Sequence, residues 1–312
     1  MEHPCAEVDV FSTGPFTGNP LAVIADADGL TTEQMRTIAN WTNFSETTFL
    51  LQPTDPAADY RVRIFTPHEE FPFAGHPTLG SARAWLAFGG RPKQDGIVVQ
   101  ECGVGLVQVR VDKDRLAFAT PPRTNTAPLT DEELAEACAA LGIATDDVMA
   151  AHWGTNGPLW QLIQLRDAQA VRNVRPDPQR GDLKLGLVGL ETEPGETQVE
   201  IRGILEDFED PVTGSLNGAA AQWLRERDLV PEQYVASQGS QIGRRGRVFI
   251  DDDGTDIWVG VRADIRVKAP SRPEELGFPE PAVDACSPTL SRARIRPRPT
   301  AAGRRRSVRG RR

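Results

Sequence analysis

The sequence predicts an α+β fold of two pseudo-symmetric lobes, each a curled, mostly antiparallel sheet around a central helix, and the main observation behind this is a repeat. Glu70-Phe71-Pro72-Phe73-Ala74-Gly75 runs into a helical stretch from Thr78 to Leu86, and Glu209-Asp210-Pro211-Val212-Thr213-Gly214 runs into one from Asn217 to Leu224. Gly80 and Gly218, Trp85 and Trp223, Leu86 and Leu224, and the earlier Pro20-Leu21 and Pro158-Leu159 share one offset of about 138 residues. The second observation is length, since 312 residues are enough for two domains with cores of their own. The third is a mixture of short strands and helices throughout both halves.

Taken in order, Val8–Phe11 reads as a strand, and Phe16-Thr17-Gly18-Asn19-Pro20 turns the chain into a second strand over 21–24. Thr31-Thr32 caps a helix of about ten residues ending near Trp41. Glu46–Leu50 returns to strand, and Tyr60–Phe65 alternates as a half-buried strand does. The helix opening at Gly75 carries Leu79, Ala82, Trp85 and Leu86 at core-facing spacing, and 97–99, 106–111 and 116–118 follow as an antiparallel meander. Pro121-Pro122 breaks the pattern, and Thr130-Asp131-Glu132-Glu133 opens a capped helix. The second half supplies strands over 159–165, 198–202, 248–250 and 257–261. These spans divide the chain into an N-terminal lobe, 1–126, a C-terminal lobe, 127–270, and a Pro/Arg-rich tail, 271–312.

Composition excludes several classes. No apolar run approaches bilayer-spanning length and the first residues resemble no secretory signal, so a cytoplasmic protein is expected, with no membrane partner. Cys5, Cys102, Cys138 and Cys286 show no metal-binding or disulfide spacing and read as reduced thiols, so no metal site is expected. The formal charge of −9 hides an asymmetry: the last 26 residues carry ten arginines and no acid. That arm has the composition of a disordered, solvated tail, and without interleaved aromatics it does not predict a nucleic-acid partner. Gly239–Arg247 lacks the Lys-Ser/Thr of a phosphate loop and leads into a strand, so it reads as a connection within the sheet.

Several motifs in sequence order resemble the PhzF phenazine-biosynthesis-like family: Val8-Asp9-Val10-Phe11, Gly18-Asn19-Pro20, Asn43-Phe44-Ser45-Glu46-Thr47-Thr48-Phe49, Pro72–Thr78 and Asp210-Pro211-Val212-Thr213-Gly214-Ser215. The resemblance spans roughly Val8 to Val267. It implies a diaminopimelate-epimerase-like fold, a homodimer, and an isomerase needing no cofactor. By its motif the catalytic glutamate falls on Glu46, with His76, Asp210 and Ser215 around the substrate. In the related two-base epimerases the paired thiols lie where Ala74 and Thr213 stand here, so two-cysteine racemisation is not available to this chain.

The residue chemistry fits those roles. Gly75 and Gly214 open two helices whose N-termini present free N–H groups and positive dipole ends, a place for a small carboxylate, with His76 and Ser215 next in line to orient it. A partly desolvated Glu46 takes a proton from one carbon and returns it to another; Phe44 and Phe49 are expected to raise its pKa. Asp210 suits a substrate amine or hydroxyl, or holds His76 in one tautomer. Read without the resemblance, Glu46 also fits a surface carboxylate, His76 a turn histidine, Asp210-Pro211 a simple turn and Ser215 a helix cap. The leading expectation is an isomerase of the trans-2,3-dihydro-3-hydroxyanthranilate isomerase type. Epimerisation of a small amino or hydroxy acid and non-catalytic metabolite binding are the alternatives.

Overall fold

The computed structural model describes residues 3–269, apart from 114, 178–180 and 207; the tail expected over 271–312 lies outside the described residues. The first half runs β1 (Cys5–Val10), β2 (Asn19–Ile24), α1 (Thr32–Thr42), β3 (Thr47–Leu51), β4 (Tyr60–Phe65), β5 (Glu70–Phe71), α2 (Gly75–Ala87), β6 (Ile97–Cys102), β7 (Gly105–Asp112) and β8 (Arg115–Ala119). The second runs α3 (Asp131–Leu141), β9 (Val148–Trp153), β10 (Gln161–Leu165), α4 (Ala168–Asn173), β11 (Leu185–Leu190), β12 (Val199–Ile204), β13 (Glu209–Asp210), α5 (Gly214–Glu226), β14 (Gln233–Gln238), β15 (Gly246–Asp252) and β16 (Ile257–Ala269).

The strands form one sheet whose halves pair in the same order. β1–β2, β3–β4, β6–β7 and β7–β8 are antiparallel, and β2–β3 and β4–β6 parallel. In the second half β9–β10, β11–β12, β14–β15 and β15–β16 are antiparallel, and β10–β11 and β12–β14 parallel. A parallel pair needs a crossover, and α2 supplies it between β4 and β6 as α5 does between β12 and β14. Each half is joined to the other at its open side. The long β16 pairs with β8 over Trp258–Arg262 and with β1 over Ala263–Ala269, while the chain after β8 bridges His152 of β9 at Pro128 and Thr155 just beyond it at Asn125.

The structure sharpens the repeat and shifts its phase. Ala22 and Gln161 occupy the same place in the parallel pairs, opposite Thr47 and Leu185, and α2 and α5 open at Gly75 and Gly214, so β2 and β10 and the two helix openings stand 139 apart while β3 and β11 keep 138. Leu21, fully buried, therefore corresponds to the buried Trp160 and not to Leu159, which is 61% exposed.

Local chemistry explains the helices. α1 and α3 begin at capping boxes, Thr31 with Gln34 and Thr130 with Glu133, and α4 at Asp167, whose carboxylate accepts from the Ala170 N–H. α2 and α5 have no side-chain cap and no acid in their first turns. They hold their places by burial: most of each helix is buried, and their apolar residues join one core cluster with Val10, Leu21, Phe118, Ile201 and Val259. Separate apolar clusters fill the space beneath α1 and beneath α3 and α4. Among the described residues no helix is long and apolar enough to cross a membrane, and Cys5, Cys102 and Cys138 are free thiols.

Candidate active site

The two uncapped helices point their N-termini at each other, and glycine makes the approach possible. A Cβ built on Gly214 would lie 3.4 Å from the Gly75 Cα, and one on Gly75 would lie 2.5 Å from the Phe118 ring, which Phe73 meets edge-on at 5.8 Å. Both helix openings thus rest on one buried aromatic plate. Because neither Ala74 nor Thr213 caps its helix, the N–H groups of the first turns are left for another acceptor.

Glu46 stands immediately before β3, and strand alternation decides what it faces. Thr48, two residues on, accepts a hydrogen bond from Ser81 of α2, and Glu46 itself meets His76 of α2, its Oε2 lying 3.0 Å from the imidazole Nδ1. His76 is 5% exposed and Glu46 17%, and the His76 Nε2 is buried with no hydrogen bond inside the protein. Phe49, expected to desolvate Glu46, packs on the opposite face of β3 against Phe65, Met35 and Ala39. The period of two that buries Phe49 turns it away from the carboxylate.

Asp210 is the acid whose environment is most plainly perturbed. Burial, reinforced by the negative charge of Glu46, raises its pKa to about 7 against the opposing effects of a Thr213 hydrogen bond, the His76 charge and an Asn19 hydrogen bond. The Thr213 hydroxyl donates to Asp210 Oδ2 at 2.5 Å, and Asn19 Nδ2 donates to Asp210 Oδ1 at 3.0 Å and to the Val212 carbonyl at 3.1 Å. Thr213, the residue before the helix, spends its hydroxyl on Asp210 instead of on a cap.

Ser215 is half-buried at the second helix opening. Its Oγ accepts from the Trp160 indole N–H at 3.1 Å, and its carbonyl accepts from Asn156 Nδ2 at 2.8 Å. An indole only donates, so the hydroxyl hydrogen of Ser215 remains free to be given elsewhere.

Asn19 is aimed by the loop before β2. Asp9 accepts from the Gly18 N–H at 2.8 Å and from Arg266 Nε at 3.1 Å, and the Thr17 carbonyl accepts from the Arg245 N–H at 2.9 Å, tying the loop to the second half. A Cβ on Gly18 would lie 2.1 Å from the Val10 carbonyl oxygen, so only glycine fits there. Phe11 and Phe16, both in the loop leading to Gly18, take left-handed backbone angles, φ 66° and 60°.

The structure therefore brings Glu46 and His76 into contact, couples Glu46 electrostatically to Asp210, and opens Gly75 and Gly214 onto each other. Ser215 follows Gly214 at the same opening. Sequence reasoning gave no role to Asn19, Trp160, Asn156 or Gln238. Asn19 had a signal in the Gly18-Asn19-Pro20 turn; the others act from strands and loops distant in sequence. Surface hollows on either side of Cys102, lined by residues such as Thr54, Glu101 and Leu106 or Arg61, Glu70 and Pro72, contain none of the candidate residues.

A duplicated, sheet-rich fold with two facing helix openings is a diaminopimelate-epimerase-like fold, shared with solved PhzF-family structures. Comparison with known proteins carries this further: residues 8–261 match the model of the PhzC-PhzF family, phenazine biosynthesis-like proteins, and the chain belongs to that family, which makes it a PhzF-type isomerase. It is 35% identical over 271 residues to antisense-enhancing sequence 1 of Schizosaccharomyces pombe, covering 80% of this chain and 91% of that protein. It is 30% identical over 262 residues to trans-2,3-dihydro-3-hydroxyanthranilate isomerase of Pseudomonas aeruginosa, covering 81% and 91%. A crystal structure of a Bacillus anthracis phenazine biosynthesis protein of the PhzF family superposes with a TM-score of 0.74 at 22% identity, over 86% of this chain and 98% of that one.

Proposed function

We propose that this chain moves a proton between two carbons of a small carboxylate-bearing metabolite of the dihydro-hydroxyanthranilate type, with Glu46 as general acid and base. The observation that carries the reading is the Glu46–His76 contact at the mouth of two uncapped, abutting helix openings. The substrate carboxylate takes the first-turn N–H groups of Gly75, His76, Gly214 and Ser215, where backbone donors and both helix dipoles favour an anion.

Ionised Glu46, hydrogen-bonded by the His76 Nδ1–H, removes a proton from an sp3 carbon; the electron pair of that C–H bond shifts into the conjugated system. Glu46 then returns the same proton to another carbon, so the protein ends as it began. Asp210, titrating near neutrality, receives a substrate amine when ionised and supplies a hydrogen bond when protonated. That second acid also supports a narrower reading, epimerisation at one carbon with Asp210 opposing Glu46.

Turnover of trans-2,3-dihydro-3-hydroxyanthranilate in deuterium oxide tests the proposal. Wild type should deliver product, and Glu46→Gln should lose about two to four orders of magnitude in kcat while retaining ligand affinity. Deuterium confined to the carbon that lost its proton, with configuration inverted there, favours the epimerase reading. Activity of Glu46→Gln within tenfold of wild type refutes both.

A further inference from the structure

We propose that Gln238 is a positioning residue of this site: acting through Thr213, it aims the single hydroxyl hydrogen of that residue at Asp210 and fixes the loop that opens α5. No sequence motif pointed to Gln238, and it lies 25 residues beyond Thr213, at the end of β14, fully buried.

The direction of every hydrogen bond follows from groups that cannot exchange roles. Gln238 Oε1 accepts from the Thr213 backbone N–H at 3.1 Å and from Asn217 Nδ2 at 2.7 Å. Gln238 Nε2 donates to the Asp210 backbone carbonyl at 3.1 Å and to Thr213 Oγ1 at 3.0 Å. A backbone N–H at one end and a backbone carbonyl at the other leave one orientation for the amide. Thr213 Oγ1 is therefore an acceptor toward Gln238, and its one hydrogen goes to Asp210 Oδ2, 2.5 Å away. Asn217 Nδ2 adds a bond to the Thr213 carbonyl at 2.9 Å, so the amide of Gln238 and that of Asn217 together clasp the turn between Asp210 and Gly214.

The neighbouring backbone is shaped around this clasp. A Cβ on Gly203 of β12 would lie 2.9 Å from the Thr213 hydroxyl and 3.3 Å from Gln238 Nε2, and one on Gly246 of β15 would lie 2.2 Å from the Val212 side chain and 3.0 Å from the Gln238 carbonyl. Two strands thus lack side chains where the loop and its glutamine must approach. The charged groups that face Asp210 are Glu46 and His76; Glu209, next to it on β13, is paired with Arg202 at 2.7 Å. Against Glu46 and burial, which favour the protonated acid, the Thr213 hydroxyl and Asn19 favour the carboxylate.

The inference rests on the proposed function for its catalytic meaning, but its test does not need turnover. The Asp210 carboxyl carbon is followed by NMR across pH in enzyme labelled with carbon-13 aspartate, its signal assigned by loss in Asp210→Asn. Thr213→Val removes the donated hydrogen and should raise the Asp210 midpoint by about one unit, the size expected for losing a hydrogen bond to a charged group. Thr213→Ser should restore it. Gln238→Met should shift it upward by less, because the hydroxyl is then free to turn, and should raise KM more than it lowers kcat by loosening the α5 opening. If Gln238→Met does not fold, the Thr213 pair decides. Midpoints unchanged in Thr213→Val refute the inference, as do unchanged midpoints in folded Gln238→Met. Full activity of Glu46→Gln instead refutes the proposed function and leaves the titration result standing on its own.

Discussion

Alanine at Gly75 and alanine at Gly214 look like the same change in sequence, yet the structure assigns them opposite outcomes. A methyl on Gly75 meets the Phe118 ring at 2.5 and 2.7 Å, whereas a methyl on Gly214 meets its nearest atoms, the Gly75 Cα and the Phe118 ring, at 3.4 Å. Neither glycine has a positive φ, so the backbone permits alanine at both. Carbon contacts below 3 Å must be relieved, and Phe118 is 1% exposed with Phe73 packed against its edge, so it has nowhere to turn. Overpacking of this kind costs about 1–3 kcal/mol. Alanine at Gly214 meets no such clash and gains up to about 1 kcal/mol in helix propensity, less at a first-turn position. With about 2–4 °C per kcal/mol for a chain of this order, Gly75→Ala should lower Tm by several degrees and Gly214→Ala should leave it level or slightly raised. Calorimetry of both variants, with Phe118→Leu added to relieve the clash, provides the check. The double variant should recover part of what Gly75→Ala loses. Equal Tm values for the two glycine variants would refute the picture of helix openings seated on one aromatic plate.

Two further outcomes follow from the same site. Because the folded-state pKa of Asp210 is raised to about 7 from an ordinary value near 4, the folded protein holds that proton more tightly than the unfolded chain; this contribution to stability is present below pH 4 and lost as pH rises toward 7. Asp210→Asn should therefore flatten the fall in Tm between pH 5 and 8, and a pH dependence identical to wild type would contradict the assignment. Trp160→Phe keeps an aromatic, though smaller, ring and removes the N–H that fixes Ser215, so it should weaken carboxylate binding several-fold with kcat nearly intact, measured as separate changes in KM and kcat; a selective loss of kcat would place Ser215 in proton transfer instead.

Much of the fold and part of the candidate site were legible in the sequence because both are written in local chemistry. Thr31 and Thr130 announce α1 and α3 through capping boxes, Tyr60–Phe65 announces β4 by alternation, and the two Gly-led turns announce α2 and α5. The strand β11 was not visible because it is buried along most of its length and reads as an apolar run, Leu-Gly-Leu-Val-Gly-Leu, without alternation. β14 was missed for a related reason, its inward positions being filled by Ala236 and Gln238 as well as Tyr234. The exposure of Leu159 beside the burial of Trp160 shows how a repeat seen in letters slips by one residue when strand pairing sets the phase.

What sequence could not reveal is which side chains complete one another across the sheet. Glu46 and His76 stand 30 residues apart and meet because β3 faces α2; Asn19 reaches Asp210 across 191 residues because β1 and β16 close the first half onto the second. The consequence reaches into the chemistry. At Thr213, where the family resemblance implies that a two-base epimerase carries a thiol, the hydroxyl donates to Asp210 and accepts from Gln238. On the proposed function, the position that in sequence signals a lost racemase thiol helps to set the charge on Asp210, which in turn bears on the charge of Glu46.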